Sequence, residues 1–164
     1  MGHSLVKAIL FGSVVLVLSS GCFWYNVDYS VFDSRCKEWV ANNSKGIKFD
    51  EFVKHTRDMD TRLSYYLCIN MVTGNMLVPE TIFFDAPEES VAVLADGLMK
   101  YKEGIAVWMI VHALQQIQLK GCYDVANDEK AMSAVRVRIS MMEHDGWGKM
   151  ASGKLRWIES QKNN

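Results

Sequence analysis

Ile105-Ala106-Val107-Trp108-Met109-Ile110-Val111-His112-Ala113-Leu114 is the stretch on which the fold turns. Apart from His112 it is apolar on nearly every side, the mark of a helix with protein all round it. Glutamines interrupt the turn after Leu114, so the run is too short to cross a membrane and reads as the most buried helix of a domain. Lys120-Gly121 signals its end. A helix of that kind needs neighbours with one-sided stripes, and they flank it. Val91, Leu94, Leu98 and Tyr101 share a face in a helix that Ser90 starts and Gly104 stops. Leu63, Tyr66, Leu67, Met71 and Gly74 line a longer helix, with Cys68 at the shoulder and Leu77 extending it. Asp60 can cap that helix and Pro79 ends it. Further upstream, Phe32, Cys36, Trp39 and Val40 recur at helical intervals until Asn42-Asn43-Ser44-Lys45-Gly46, and Asp50-Glu51-Phe52-Val53 opens a short helix.

These stripes predict an all-α, mainly helical chain: one compact, bundle-like domain of about five helices spanning 31–160. Its C-terminal end reads two ways. Asn127-Asp128 can cap a helix with Met132, Val135, Ile139 and Met142 on one face. Val135-Arg136-Val137-Arg138-Ile139-Ser140-Met141 also alternates as a half-buried strand would. With Asp145-Gly146 as a turn and Leu155-Arg156-Trp157-Ile158 returning, a β-hairpin competes with the helix. The helix is the expectation here.

The amino end decides the address. Lys7 and the free amino group head an apolar run from Ala8 to Leu18, followed by Ser19-Ser20-Gly21-Cys22. Charged head, apolar run and small residues make a secretory signal over residues 1–21. Ser20-Gly21-Cys22 resembles the bacterial lipobox, in which the cysteine sulfur receives a diacylglycerol, although the usual Leu stands one place upstream, at Leu18. The alternative is an ordinary signal peptide with a chance cysteine. Lipidation at Cys22 implies a membrane-anchored protein, because two acyl chains suffice for stable attachment. Phe23 stands where an Asp would signal inner-membrane retention, which points to the outer membrane, facing the periplasm. Residues 22–30, with Phe23, Trp24 and Tyr25, then form a short tether.

Removal of the first 21 of 164 residues leaves 143, enough for one domain with its own core. Acidic residues number 19 against 18 basic ones, one of which, Lys7, leaves with the signal. That balance makes no case for binding nucleic acid. Cys36, Cys68 and Cys122 remain once Cys22 is lipidated. An oxidising compartment favours pairing, but an odd number permits at most one bridge and leaves one thiol over.

The residues offer little catalytic chemistry. His55, His112 and His144 stand far apart, without a metal-ligand spacing, and a lone histidine in an apolar run such as His112 is more often a hydrogen-bonded core residue than a base. No Gly-x-Ser-x-Gly elbow or Cys-x-x-Cys pair occurs. Gly148-Lys149-Met150-Ala151-Ser152-Gly153-Lys154 approaches a phosphate loop, but Leu155 stands where a hydroxyl must hold magnesium. No metal, cofactor or enzymatic activity is expected.

Binding remains. From Pro79 to Glu89, Ile82, Phe83 and Phe84 are followed by Asp85, Glu88 and Glu89, and two prolines limit the loop's freedom. Aromatic anchors on a stiffened loop suit a protein partner. Equally, Ile82, Phe83 and Phe84 can fold inward while Glu88 and Glu89 stabilise the positive end of the next helix.

The cysteines and the helices between them resemble the Rap/Tai-type immunity proteins, small helical periplasmic proteins that neutralise peptidoglycan amidase effectors of type VI secretion. The likeness covers roughly Val31 to Cys122. Cys36 matches the family's first cysteine, and Cys68-Ile69-Asn70-Met71-Val72-Thr73-Gly74 keeps the first cysteine and last glycine of its second motif. Phe83-Phe84-Asp85-Ala86-Pro87 lacks the cysteine of the following turn, while Tyr101, Ala113-Leu114 and Cys122 fall in matching places. The resemblance implies a Cys36–Cys68 bridge, with Cys122 left free. It also implies an immunity role, against an amidase or, for a lipid-anchored protein, a phospholipase, with the Pro79–Glu89 loop as the plug. A structural accessory lipoprotein of a secretion or conjugation machine is the competing expectation, and homodimerisation is left open. An envelope hydrolase would need a cleft that brings one of the histidines next to a carboxylate or thiol.

Overall fold

Helix-forming sequence between strong stop signals dictates the architecture seen in a computed structural model, which describes residues 34–43, 49–142 and 144–162. The signal at 1–21, Cys22 and the tether at 22–30 lie outside the described residues. Among the described residues seven α-helices run in order: α1 (Cys36–Asn43), α2 (Phe49–His55), α3 (Met59–Thr73), α4 (Pro87–Lys100), α5 (Gly104–Leu119), α6 (Glu129–Ser140) and α7 (Gly146–Ser160). Two 3-10 turns, Glu80–Phe83 and Val125–Asn127, sit in the connections before α4 and α6. The described residues contain no strand, so the expected count of about five helices and the competing hairpin are both corrected.

α5 is the hub. Ala106, Val107, Met109, Ile110, Val111, Ala113, Leu114 and Ile117 are buried on it, against α7, α4 and α3 and both 3-10 turns. Burying one such large apolar side chain contributes about 1.5–3 kcal/mol, so this helix and its cover dominate cohesion. α4 lays Val91, Leu94 and Leu98 inward, as their spacing predicts, and Tyr101 follows them into the core just past its end. Its start differs. Pro87 occupies the first turn, where a missing N–H costs nothing, and Ser90 lies inside the helix. Gly104 opens α5 and does not stop α4, which has already ended at Lys100.

α3 is buried from Arg62 through Met71, beyond the single stripe its spacing suggested. Its cap is Asp58, whose carboxylate accepts the Thr61 amide at 2.9 Å, two residues before the expected Asp60. The helix ends at Gly74, whose φ of 66° is open to glycine without strain, five residues before Pro79. Leu77, expected to extend the stripe, is 51% exposed. The bridge between Cys36 and Cys68, with Cα atoms 5.8 Å apart, fastens α1 to α3, and Cys122 is a free thiol. Beside the bridge, Trp39 packs edge-on to Phe52 and Tyr65, which stack on each other, and this docks the short α2.

The end of the chain shows why alternation misleads. In α6, Met132, Val135 and Ile139 face the core, joined by Met142 just beyond it, while Val137 and Met141 stand 42% and 64% exposed. Asp128 and Asp145 accept the Ala131 and Trp147 amides at 2.9 and 3.0 Å, capping α6 and α7. Two caps and a 3–4 spacing therefore outweigh a period of two. Gly148 lets α7 lie directly against the backbone of Met142, where any Cβ would overlap the Met142 carbonyl.

Candidate functional site

The Pro79–Glu89 loop is held by side chains of α3. Arg62, itself buried, donates from Nε to the Thr56 carbonyl at 2.6 Å and from Nη1 to the Ile82 carbonyl at 2.7 Å, and it also bonds the Asp85 carboxylate. Its Nη2 reaches the Val53 carbonyl at 3.4 Å. One guanidinium thus ties α2, the turn after it and the loop to α3, which suits its five donors in a rigid fork. That hydrogen bond also keeps the Asp85 carboxyl below its ordinary pKa. Asn70 grips the loop's entrance, giving its amide N–H to the Val78 carbonyl and accepting the Val78 N–H, at 2.9 and 2.8 Å. At the exit, the Ser90 hydroxyl donates to the Phe83 carbonyl at 2.9 Å.

These ties divide the predicted binding residues. Ile82 and Phe83 fold inward, with relative exposures of 1% and 0%, and Phe83 meets Tyr66 edge-to-face at 5.4 Å. Both lie in the core, the inward placement that the sequence offered beside the binding one. Phe84 is half-buried, and Asp85, Glu88 and Glu89 are exposed. Glu88 and Glu89 occupy the first turn of α4, where the helix dipole favours negative charge.

Beside them lies an open depression of about 680 Å³, lined by Ala86, Pro87, Glu88, Glu89, Ala92 and Tyr123. Its lining joins small apolar residues to the two glutamates and the tyrosine. The Tyr123 hydroxyl donates to Asp128 at 3.2 Å, and the charges of Asp128, Glu88 and Asp124 all act to raise its pKa. Tyr123 was not among the residues expected at the site. It comes from the turn after α5, and only the packing of that turn on the bundle brings it to the loop.

The histidines are distributed differently. His144 is exposed, and His55 edges a smaller hollow of about 170 Å³ with Trp39, Phe52 and Tyr65. His112 does meet a carboxylate. Its Nε2 lies 3.4 Å from Glu80, while its Nδ1 lies 2.9 Å from the Lys154 ammonium. Lys154 also donates to Gln115 at 3.1 Å, and the Tyr66 hydroxyl donates to Glu80 at 3.0 Å. Burial and the Glu80 charge hold Tyr66 protonated far above its ordinary range. The two nitrogens of His112 thus face opposite charges, Glu80 on one side and Lys154 on the other. The stretch that approached a phosphate loop is helical, forming part of α7 with Lys154 at this cluster.

Among the described residues, no group of three or more His, Cys, Asp or Glu side chains could hold a metal ion, and no helix is long and apolar enough to cross a membrane. Comparison with protein-family models, with curated proteins and with solved structures finds no match.

Proposed function

We propose that this chain is an envelope lipoprotein, anchored through Cys22, that binds and neutralises a toxin effector with the outer edge of the Pro79–Glu89 loop. The observation that supports it most is the depression beside Pro87, Glu88 and Glu89, which falls on the segment singled out for binding. A rigid loop loses little entropy on docking, and Arg62, Asn70 and Ser90 hold this one from three sides. Phe84 and Tyr123 supply aromatic surface, and the carboxylates of Glu88, Glu89 and Asp124 suit a partner that presents lysine or arginine. A secreted hydrolase with a basic rim to its active site is such a partner, and covering that rim requires no catalysis by this chain.

The test begins with any secreted hydrolase encoded beside this chain. The domain from Phe23 onward is expected to bind it and abolish its activity, and palmitate labelling is expected to mark the wild type and not Cys22→Ser. Reversing charge with Glu88→Lys and Glu89→Lys together is expected to weaken binding at least tenfold, about 1.4 kcal/mol, without loss of helical content. Undiminished binding by that double variant, at low and at high salt, would remove the loop edge from the interface.

A further inference from the structure

The Glu80–His112–Lys154 cluster joins three elements that are distant in sequence. Glu80 belongs to the 3-10 turn that opens the binding loop, His112 to the buried hub α5 and Lys154 to α7. We propose that His112 is a proton-operated coupling that exchanges its hold on α7 for a tighter hold on the loop when the surroundings turn acidic.

The geometry assigns the hydrogens. The Lys154 ammonium has only hydrogens to offer, so the Nδ1 lone pair accepts from it and Nε2 carries the proton in the neutral ring, 3.4 Å from the Glu80 carboxylate. Protonation places a second N–H, from solvent, on Nδ1. Donor then faces donor at 2.9 Å, and two cations share a partly buried site. Lys154 has a route out because its long side chain is only partly covered. Glu80 gains at the same step, since the ring 3.4 Å from its carboxylate turns from neutral to cationic. Trp108 accommodates either state. Its ring stacks on His112 at 5.5 Å and lies under the Lys154 ammonium at 5.2 Å, so it can face a cation on either group.

Other groups do not take over this role. Lys154 and Glu80 are the charges acting on His112 among the described residues, with the Tyr66 hydroxyl of α3 behind Glu80 and the Gln115 amide on α5 itself. α4 and the 125–127 turn, which also pack on α5, contribute no charge there. Burial first and Lys154 second hold the imidazole below its ordinary 6.5, with Glu80 opposing them. The sign follows. As pH falls through 6.5 the unfolded chain takes up this proton before the folded one, so the contribution of neutral His112 is complete above 6.5 and declines below it.

Hydrogen–deuterium exchange of the full chain, compared as protection factors at pH 7.5 and pH 5, tests the coupling. Protection in 146–160 is expected to fall at least tenfold on acidification while that in 79–86 holds or rises. In Lys154→Met, where nothing is repelled, and in His112→Gln, which cannot titrate, the protection of 146–160 is expected to stay within twofold across the range. Unchanged protection of 146–160 in the wild type, a loss shared equally by 79–86, or a wild-type response in either folded variant would overturn the proposal. Should a variant fail to fold, nitrogen-15 spectra of His112 in the wild type decide: a neutral ring protonated at Nδ1 refutes the assigned tautomer and the switch with it. Neither measurement involves a toxin partner.

Discussion

Replacing Arg62 with methionine removes the clasp that shapes the loop while keeping most of the buried stem, so the loss can be worked out bond by bond. The Ile82 carbonyl is left buried without its 2.7 Å donor, a cost of about 1–3 kcal/mol. The carbonyls of Thr56 and Val53 are part-buried and recover some water, costing about 0.5–1.5 kcal/mol each. Together Arg62→Met is expected to lose about 2–6 kcal/mol, a large share of the roughly 5–15 kcal/mol that holds a domain of this size. The ion pair itself is a small part of that. The Asp85 side chain is 56% exposed, so solvent screens it, and Asp85→Asn is expected to lose less than about 1 kcal/mol. Because the folded Asp85 carboxyl sits below its ordinary 3.8, its small contribution is present above that pH and fades only as pH falls through the lowered value. Urea unfolding followed by circular dichroism, with the disulfide intact, reads both variants. With a slope of about 2 kcal/mol/M, the midpoint should drop by about 1–3 M for Arg62→Met and by less than about 0.5 M for Asp85→Asn. A fall under about 0.5 M for Arg62→Met, or equal falls for the two, would refute the assignment of the stabilisation to the buried carbonyl bonds.

Two further outcomes follow from the packing. The bridge between Cys36 and Cys68 closes a separation of 32 residues, for which chain entropy gives about 3–4 kcal/mol, so reduction or the double serine variant should lower stability by that amount and cost exchange protection in 36–43 first. Protection of 36–43 unchanged by reductant would contradict it. Gly148→Ala should be far more damaging than Gly97→Ala, because the first Cβ overlaps the rigid Met142 carbonyl while the second, 2.7 Å from Leu63 Cδ2, meets the end of a side chain that can turn; thermal melts of the pair settle the order.

Much of this was legible along the chain. An apolar run with one histidine marked α5 as the hub, and the stripes of α3, α4 and α6 were readable because a helix repeats its face every three to four residues. Boundaries were less so. Asp58 and Asp60 both suit a cap, and only the geometry of the first turn selects Asp58, just as Gly74 ends α3 before Pro79 has any influence. The alternating run at 135–141 satisfied a strand and a helix at once, and burial of Met132, Val135, Ile139 and Met142 against the bundle decided between them.

The binding loop divides in the same way. Composition marked Ile82 to Glu89 as unusual, yet it could not say which side chains face out, since that depends on where Arg62 draws the backbone. Tyr123 at the depression and Glu80 and Lys154 at His112 left no local signal at all, because side chains separated by tens of residues become neighbours only when helices pack. Periodicity records what each segment buries, and it was enough to make the chain helical. Which polar groups then meet is a property of helix packing, and the tertiary structure alone decided it.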